Sequence, residues 1–596
     1  MGILFRIVTA IFASVGLLAI LLTGVVLFTV LNLDSFDSSQ PQGPDQMYLA
    51  LDLDQAFTEG PPQNGLNRLR LNSQNSVHDI VTALKQAKND PRVLGVFATV
   101  SSSTLGIAQI QEIRAAVNNF RQSGKPTILF AETIGEGRNG TGAYYLAAAF
   151  EDIWLQPSGE ISTTGLLIEQ PFLRGLLDKI GVYPSFLQRK EFKSAAESFT
   201  NSVMSEANKE ALETLQTSLF DQILGDISTD RNLSLDRLRS LVNNSPLLSA
   251  EAVEGGLVDN IGYRDKLEEA IDKDIGTRNQ VTVERYLSFA LPEDAPEPQK
   301  SIAIIYGAGQ IVRGKTDNSP FVSSENIGSH NLSESIRNAA GNEEIAAIVL
   351  RVDSPGGSYV ASDTIWHEIL LAKKKGKPII ASMGNVAASG GYYISMAADH
   401  IVAEPGTITG SIGVITGKFV LEEAFEKLNI NWETLKSGRN ADIFSATSDF
   451  SNHAIVRMNR NLDFIYDDFT SKAAQGRGMS KEKLELLARG RVWTGSDAHK
   501  IGLIDQLGGL DDAIDYAKVA VGLESDDPVW LVPFPPPKDP LEAIIELLDQ
   551  GALPLGMGVI MEYSFKLGNW IQPLLDVGRI YSSGSGVLYM DPIRVR

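Results

Sequence analysis

The chain runs to 596 residues, with 52 Lys and Arg against 73 Asp and Glu, a formal net charge of −21 and no cysteine. Its length exceeds what one hydrophobic core serves and suits two, while 43% hydrophobic and 21% charged residues exclude an intrinsically disordered chain. The acidic balance, without a basic stripe, excludes broad nucleic-acid binding, and the lack of cysteine excludes a catalytic thiol, a disulfide framework and thiolate metal sites.

The first element is an apolar run from Ile7 to Leu33, about 27 residues. As a helix rising ~1.5 Å per residue it exceeds the roughly 30 Å hydrocarbon core of a bilayer, so it is expected to span a membrane. No small-x-small cleavage site follows, which favours a retained anchor over a removed export signal. Arg6 before the run and Asp34 and Asp37 after it place the N-terminus in the cytoplasm and the rest of the chain outside. Residues 1–46 thus read as anchor and linker. A first unit, 47–290, opens with a strand at Met47 to Leu53. Helical patterns (Val77 to Lys88, Ile107 to Gln122) then alternate with short apolar runs (Val93 to Ala98, Pro126 to Phe130), the pattern of parallel strands joined by crossover helices. Residues 291–300 are an acidic, proline-rich linker. A second unit, 301–531, follows, with buried strands at Ile345 to Val352 and Lys377 to Ser382. Residues 532–596 form a C-terminal extension, containing a short amphipathic helix at Leu541 to Leu548 and an apolar tail suited to packing on a neighbouring subunit.

The two units are copies of one another. Gly142-Ala143-Tyr144-Tyr145 through Pro157 and on to Gly165 matches Gly390-Gly391-Tyr392-Tyr393 through Pro405 and Gly413, each residue 248 positions later without a gap. The differences carry more information than the matches. At that offset Thr141 in the first copy stands where the second has Ser389 and Lys193 where it has Ala441; further back, where the offset is 252 as in Gly124-Lys125-Pro126 against Gly376-Lys377-Pro378, Ser101 to Leu105 stand where the second has Asp353-Ser354-Pro355-Gly356-Gly357. Each copy keeps what the other has lost, so one site assembled across both is the economical expectation.

Ser389 lies where an apolar strand turns into a helix, among residues too small to shield it, a placement that suits a nucleophile exposed to helix N-terminal amides. A serine hydroxyl needs a base within hydrogen-bond reach. None of the six histidines lies in the glycine-rich turns, and His367, the best of them on the helix after Asp353-Ser354-Pro355-Gly356-Gly357, reads as a surface or packing residue. A lysine serves if burial lowers its pKa by roughly 2 to 4 units. Spacing alone leaves Lys190 and Lys193 equal candidates. The Gly356-Gly357 pair allows an amide to approach a carbonyl oxygen, and with the amide of Gly390 it would make an oxyanion hole. No spaced His, Asp and Glu set suggests a metal, and no cofactor is expected. An acyl-CoA hydratase or isomerase and an inactive membrane scaffold are the competing functional classes.

Arg351 to Ser358, Ala387-Ala388-Ser389-Gly390-Gly391-Tyr392, Thr409-Gly410-Ser411-Ile412-Gly413 and Phe192-Lys193-Ser194-Ala195 resemble the signal peptide peptidase A family, also called protease IV, in its long, membrane-anchored, duplicated form. The resemblance extends from the anchor to about Leu531. It implies an α/β fold of two tandem crotonase/ClpP-like domains behind an N-terminal transmembrane helix. It also implies a Ser/Lys dyad: Ser389 as nucleophile, Lys193 rather than Lys190 as general base, Ser411 orienting the amine, and Gly356 and Gly390 supplying the oxyanion amides. Two departures from the family pattern, Phe192 for a tyrosine and Ser198 for a proline, affect the pocket wall. The implied substrates are remnant signal peptides and other apolar peptides. The implied setting is the periplasmic side of a bacterial inner membrane, and the implied assembly is a homotetramer.

Overall fold

The computed structural model describes residues 43–60, 75–275, 279–290, 298–316, 326–536 and 587–589. The expected membrane span at 7–33, most of the 291–300 linker and the expected helix at 541–548 lie outside the described residues. Among the described residues no helix is long and apolar enough to cross a membrane.

Two sheets form the cores, and their six shared strands, all parallel, repeat one order; the second sheet is extended by Ile408–Gly410 and by Val492–Thr494, which pairs antiparallel with it. In the first, Asn260–Ile261, Asp152–Leu155, Thr127–Ala131, Val93–Thr99, Met47–Asp52 and Gln280–Thr282 lie side by side. In the second, Gln506–Leu507, His400–Ala403, Ile379–Ala388, Ile345–Ser354, Ser301–Ala308 and Trp530–Phe534 take the same places. The α/β class and the tandem repeat read from the sequence are therefore present as architecture. Packing details repeat as well: the buried Tyr144 hydroxyl donates to the Leu257 carbonyl at 2.8 Å, and Tyr392 donates to Leu503 at 2.9 Å. Arg231 bonds Asp259, and Arg477 bonds Asp505 through both guanidinium nitrogens. Each unit has one long helix, Glu206–Asp230 or Asn452–Gly476, started by a serine whose side chain accepts the amide of the third helical residue, Ser205 for Asn208 and Ser451 for Ala454.

The expected domain boundary at 531 falls inside the edge strand Trp530–Phe534, which continues its parallel pairing with Ser301 to Ile305 as far as Phe534. The proline cluster suggested an end to the unit, but an edge strand tolerates Pro533 because one of its sides needs no donor.

A third sheet joins the units. Tyr183–Arg189 of the first unit pairs antiparallel with Val414–Val420 of the second through seven residues, from Tyr183 opposite Val420 to Arg189 opposite Val414. An apolar patch adds to the seam: Leu215 and Leu219 of the long first-unit helix pack against Ala388 and Ile408.

The seam also holds a buried ion cluster. Arg351, in the middle of a strand that otherwise reads as apolar, is fully enclosed, and both of its carboxylate partners come from the first unit. Its Nε donates to Glu59 and its Nη2 to Glu112, each at 2.8 Å, and its Nη1 donates to Ser382 Oγ at 3.0 Å. Glu112 also accepts the amide of Leu510 at 2.7 Å. Removing one member of such a cluster strands the others in a dry interior, at a typical cost of about 3–5 kcal/mol. Arg351→Met is therefore expected to lower the Tm sharply, with partial recovery when Glu59→Gln and Glu112→Gln are added. An unchanged Tm in the single variant would mean the seam does not depend on the cluster.

Candidate active site

Ser389 follows directly on the strand Ile379–Ala388 and precedes the short helix Gly390–Ser395. Its backbone sits at φ 55°, ψ −112°, outside the regions an L-residue occupies without strain. Neighbouring backbone holds it there: its amide donates to the Gly410 carbonyl at 2.8 Å, and its carbonyl accepts from the Tyr393 amide at 2.9 Å. Ser411 also has a positive φ, 52°, and its amide is held by the Arg491 carbonyl at 2.7 Å.

The register between the units determines where Lys193 lies. Arg189 pairs with Val414, so the residues just after Arg189 run beside those just before Val414. Lys193 enters there at 1% exposure, and its Nζ lies 2.8 Å from Ser389 Oγ, 2.9 Å from Ser411 Oγ and 3.0 Å from the Ser411 carbonyl. Burial pushes its amine well below the usual lysine range, and no carboxylate contributes to offset that. Two second-unit glycines make the passage. A Cβ on Gly490 would fall 2.4 Å from the Lys193 amide nitrogen, and one on Gly413 would fall 3.1 Å from Lys193 Cδ.

The candidate oxyanion glycines are adjacent: a Cβ on Gly390 would lie 3.0 Å from both Gly356 Cα and the Gly357 nitrogen. The Gly356 amide donates to Ser354 Oγ at 3.2 Å. Behind them, Asp353 Oδ1 accepts the Val386 amide at 2.9 Å, linking the strand that leads to Gly356 with the strand that leads to Ser389. Burial first, and then the nearby Glu59 charge, push Asp353 up to about 7, although the Val386 amide and Arg351 pull the other way. Burial opposes ionisation of Glu59 too, but the Arg351 charge and hydrogen bond outweigh it and hold that carboxyl below its usual range. Asp353 and Glu59 lie close enough across the seam for each carboxyl to bear on the ionisation of the other.

Five residues picked from the sequence, Ser389, Lys193, Ser411, Gly356 and Gly390, are thus gathered in one place. The other candidates are elsewhere. Lys190 is at the surface, 2.7 Å from Glu485, and His367 is exposed on the helix Tyr359–Lys374. Ala441 lies on an exposed loop, and Thr141 Oγ1 is taken up by Asn139 Oδ1 at 2.7 Å and the Gly165 carbonyl at 3.0 Å. Phe192 lies under the Arg491 guanidinium, and Ser198 Oγ accepts from Gln170 at 2.9 Å. Sequence reasoning missed Gly490, Asp353, Glu59 and Glu112. A visible signal existed for the last two, because Arg351 inside an apolar strand demands buried carboxylates.

A strained serine at a strand-to-helix turn, in an α/β scaffold and within reach of a desolvated amine, belongs to the class of serine hydrolases. The sequence matches peptidase family S49 twice, at residues 119–278 and 371–524, once in each unit. It is 33% identical over 489 residues to "Serine protease SPPA, chloroplastic" of Arabidopsis thaliana, covering 80% of this chain and 70% of that one. It is 33% identical over 457 residues to "Protease 4" of Salmonella typhi, covering 74% and 72%. Over 203 residues it is 35% identical to "Putative signal peptide peptidase SppA" of Enterococcus faecium, covering 34% and 59%. The chain belongs to peptidase family S49, and it is a serine peptidase with two repeats of an α/β fold.

The lowered amine has a consequence for stability. Unfolded, Lys193 keeps its proton up to about 10.5; folded, it loses the proton at a lower pH. Between those two values the unfolded state binds more protons, so stability rises with pH across that window and levels off at either side. In Lys193→Met that contribution is absent. The Tm of the wild type relative to the variant is expected to climb from neutral pH toward pH 10, and a constant difference would show that the amine is not desolvated.

Proposed function

We propose that this S49 peptidase works through a Ser/Lys dyad divided between the repeats, with Ser389 as nucleophile and Lys193 as general base. The observation that carries this reading is the 2.8 Å contact between Lys193 Nζ and Ser389 Oγ inside a buried seam. A neutral amine has two hydrogens and one lone pair. Ser411 offers two acceptors, its carbonyl and its hydroxyl, at 3.0 and 2.9 Å. Directing both N–H groups there leaves the lone pair for the Ser389 hydroxyl proton, so Ser411 orients the base.

As Ser389 Oγ bonds to the scissile carbonyl carbon, Lys193 takes the hydroxyl proton. The amides of Gly356 and Gly390 receive the oxyanion. The Gly356–Ser354 bond, 3.2 Å to a neutral hydroxyl, yields to a charged acceptor, which forms shorter and stronger bonds. The C–N bond then breaks, Lys193 returns the proton to the leaving amine, and a water activated by the same lysine hydrolyses the acyl-enzyme.

The substrates in this reading are cleaved signal peptides and other apolar peptides. The activity named for the Enterococcus faecium relative supports this, as does an apolar run at 7–33 able to hold the enzyme at the membrane where such peptides remain. The charges flanking that run support a catalytic portion on the periplasmic side of a bacterial inner membrane. Self-association into a tetramer is supported by the exposed apolar side chains of Leu428, Ile430, Trp432, Leu435 and Phe444, clustered within one stretch of the second repeat.

A fluorophosphonate is expected to label Ser389, with both labelling and turnover abolished in Ser389→Ala; labelling that survives the substitution would refute the assignment. Ser411→Ala, which removes one of two orienting acceptors, is expected to lower kcat by roughly tenfold with little change in KM. In the wild type, kcat should rise with pH through a value below the usual lysine range, because the base acts only when neutral.

A further inference from the structure

Between the helix Lys481–Leu487 and the strand Val492–Thr494 the chain runs through Ala488-Arg489-Gly490-Arg491, with positive φ at Arg489 (57°) and Gly490 (84°). Three consecutive residues of this turn hold the base and its orienter by main chain alone. The Arg489 carbonyl accepts the Phe192 amide at 3.1 Å, the Gly490 amide donates to the Ile412 carbonyl at 2.8 Å, and the Arg491 carbonyl accepts the Ser411 amide at 2.7 Å. Phe192 immediately precedes Lys193, so the residue before the amine and the residue that receives its N–H groups are anchored to the same turn.

The side chain of Arg491 ties that turn to the first unit. Its Nη1 donates to Glu210 at 2.7 Å and its Nη2 to Thr214 Oγ1 at 3.3 Å, both on the long helix Glu206–Asp230. Its Cζ lies 5.0 Å from the centroid of the Phe192 ring and 4.7 Å from that of Trp493. A guanidinium can make both kinds of contact at once, because its edge carries the donors while its face stacks on rings. The first repeat has nothing equivalent. Gly256-Leu257-Val258-Asp259 is matched by Gly502-Leu503-Ile504-Asp505 at an offset of 246, and at that offset Arg491 corresponds to Ser245, whose hydroxyl donates to the Ile161 carbonyl of its own unit at 3.0 Å.

We propose that Arg491 is a positioning residue for the general base: stacked on Phe192, paired with Glu210 and holding Ser411 through its carbonyl, it keeps the Lys193 amine against Ser389 and keeps water from it. The inference rests on the assignment of Lys193 as base. Arg491 acts through Phe192 and Ser411, not on the reacting atoms. Burial is what lowers the Lys193 amine, so a loosened turn that admits water returns the amine toward the ordinary lysine range. A base displaced from its hydroxyl costs rate and leaves substrate binding in place.

The test measures kcat and KM for an apolar peptide across pH, with the Tm of each variant alongside. Arg491→Met is expected to lower kcat at neutral pH by roughly ten- to hundredfold with KM within about twofold, and to raise the pH at which kcat climbs. Arg491→Lys keeps the charge but cannot stack as a plane, and should fall between the two. Glu210→Ala separates positioning from charge alone: losing a nearby cation raises that pH and losing a nearby anion lowers it, whereas lost positioning raises it in both variants. Arg231→Met, which breaks the 2.6 Å pair with Asp259 within the first repeat, should lower the Tm without moving it. An unmoved pH midpoint in Arg491→Met, a lowered one in Glu210→Ala, or an equal shift in Arg231→Met would overturn the inference. Failure of the dyad itself would look different, as a rise of kcat with pH that survives in Lys193→Met.

Discussion

In water at neutral pH the Lys193 amine would carry a proton and could not act as a base. The role proposed for it depends on a seam between two repeats that excludes solvent, and neither repeat could provide that alone. The first supplies the lysine and the strand Tyr183–Arg189 that leads to it; the second supplies Val414–Val420, Ser411, and the two glycines, Gly413 and Gly490, that give the side chain room. A seven-residue antiparallel pairing is a stiff way to define a distance. Slipping its register by one residue would turn the side chains of Tyr183–Arg189 to the opposite face, so the position of the amine is fixed by the same pattern that buries the strand.

The buried cluster at the other side of the seam follows the same logic. Arg351, Glu59 and Glu112 gain little net stability compared with an apolar substitute, but they impose a strong penalty on any arrangement in which the repeats separate or shift. Asp353 extends this control to the chemistry. One of its oxygens accepts from Val386, three residues before Ser389, and Asp353 itself is three residues before Gly356. The separation of Ser389 and the proposed oxyanion amides is thereby set by a carboxyl group that sits close to Glu59 of the opposite repeat.

Much of this was legible in the sequence, for identifiable reasons. The constant 248-residue offset exposed the duplication, and the complementary losses at Thr141 and Ala441 pointed to a site shared between the copies. Ser389, Gly356 and Gly390 stood out because small residues after an apolar strand are a local pattern. Choosing Lys193 over Lys190 required the family resemblance, since the two differ in burial, and burial here comes from contacts more than two hundred residues away in sequence. Gly490 and the pairing of Tyr183–Arg189 with Val414–Val420 were hidden for the same reason: their significance lies in what they touch across the seam. In the sequence the C-terminal strand, Val587–Tyr589, is only part of an apolar tail, because a three-residue segment has too little periodicity to identify its partners.

The backbone conformation of Ser389 accounts for the difference between the two repeats at this position. A serine can be forced to φ 55° if the surrounding structure holds it, as the Gly410 carbonyl and the Tyr393 amide do here. A β-branched residue tolerates a positive φ much less well. Thr141, at the matching position, instead begins the helix Thr141–Ala147, and its hydroxyl is absorbed by Asn139 and Gly165. The threonine and the relaxed turn therefore belong together: the Thr141 hydroxyl is bonded to Asn139 and Gly165, and its β-branched side chain would oppose a strained backbone like that of Ser389. In the second copy the strain stands at Ser389, within hydrogen-bond reach of a lysine from the other repeat.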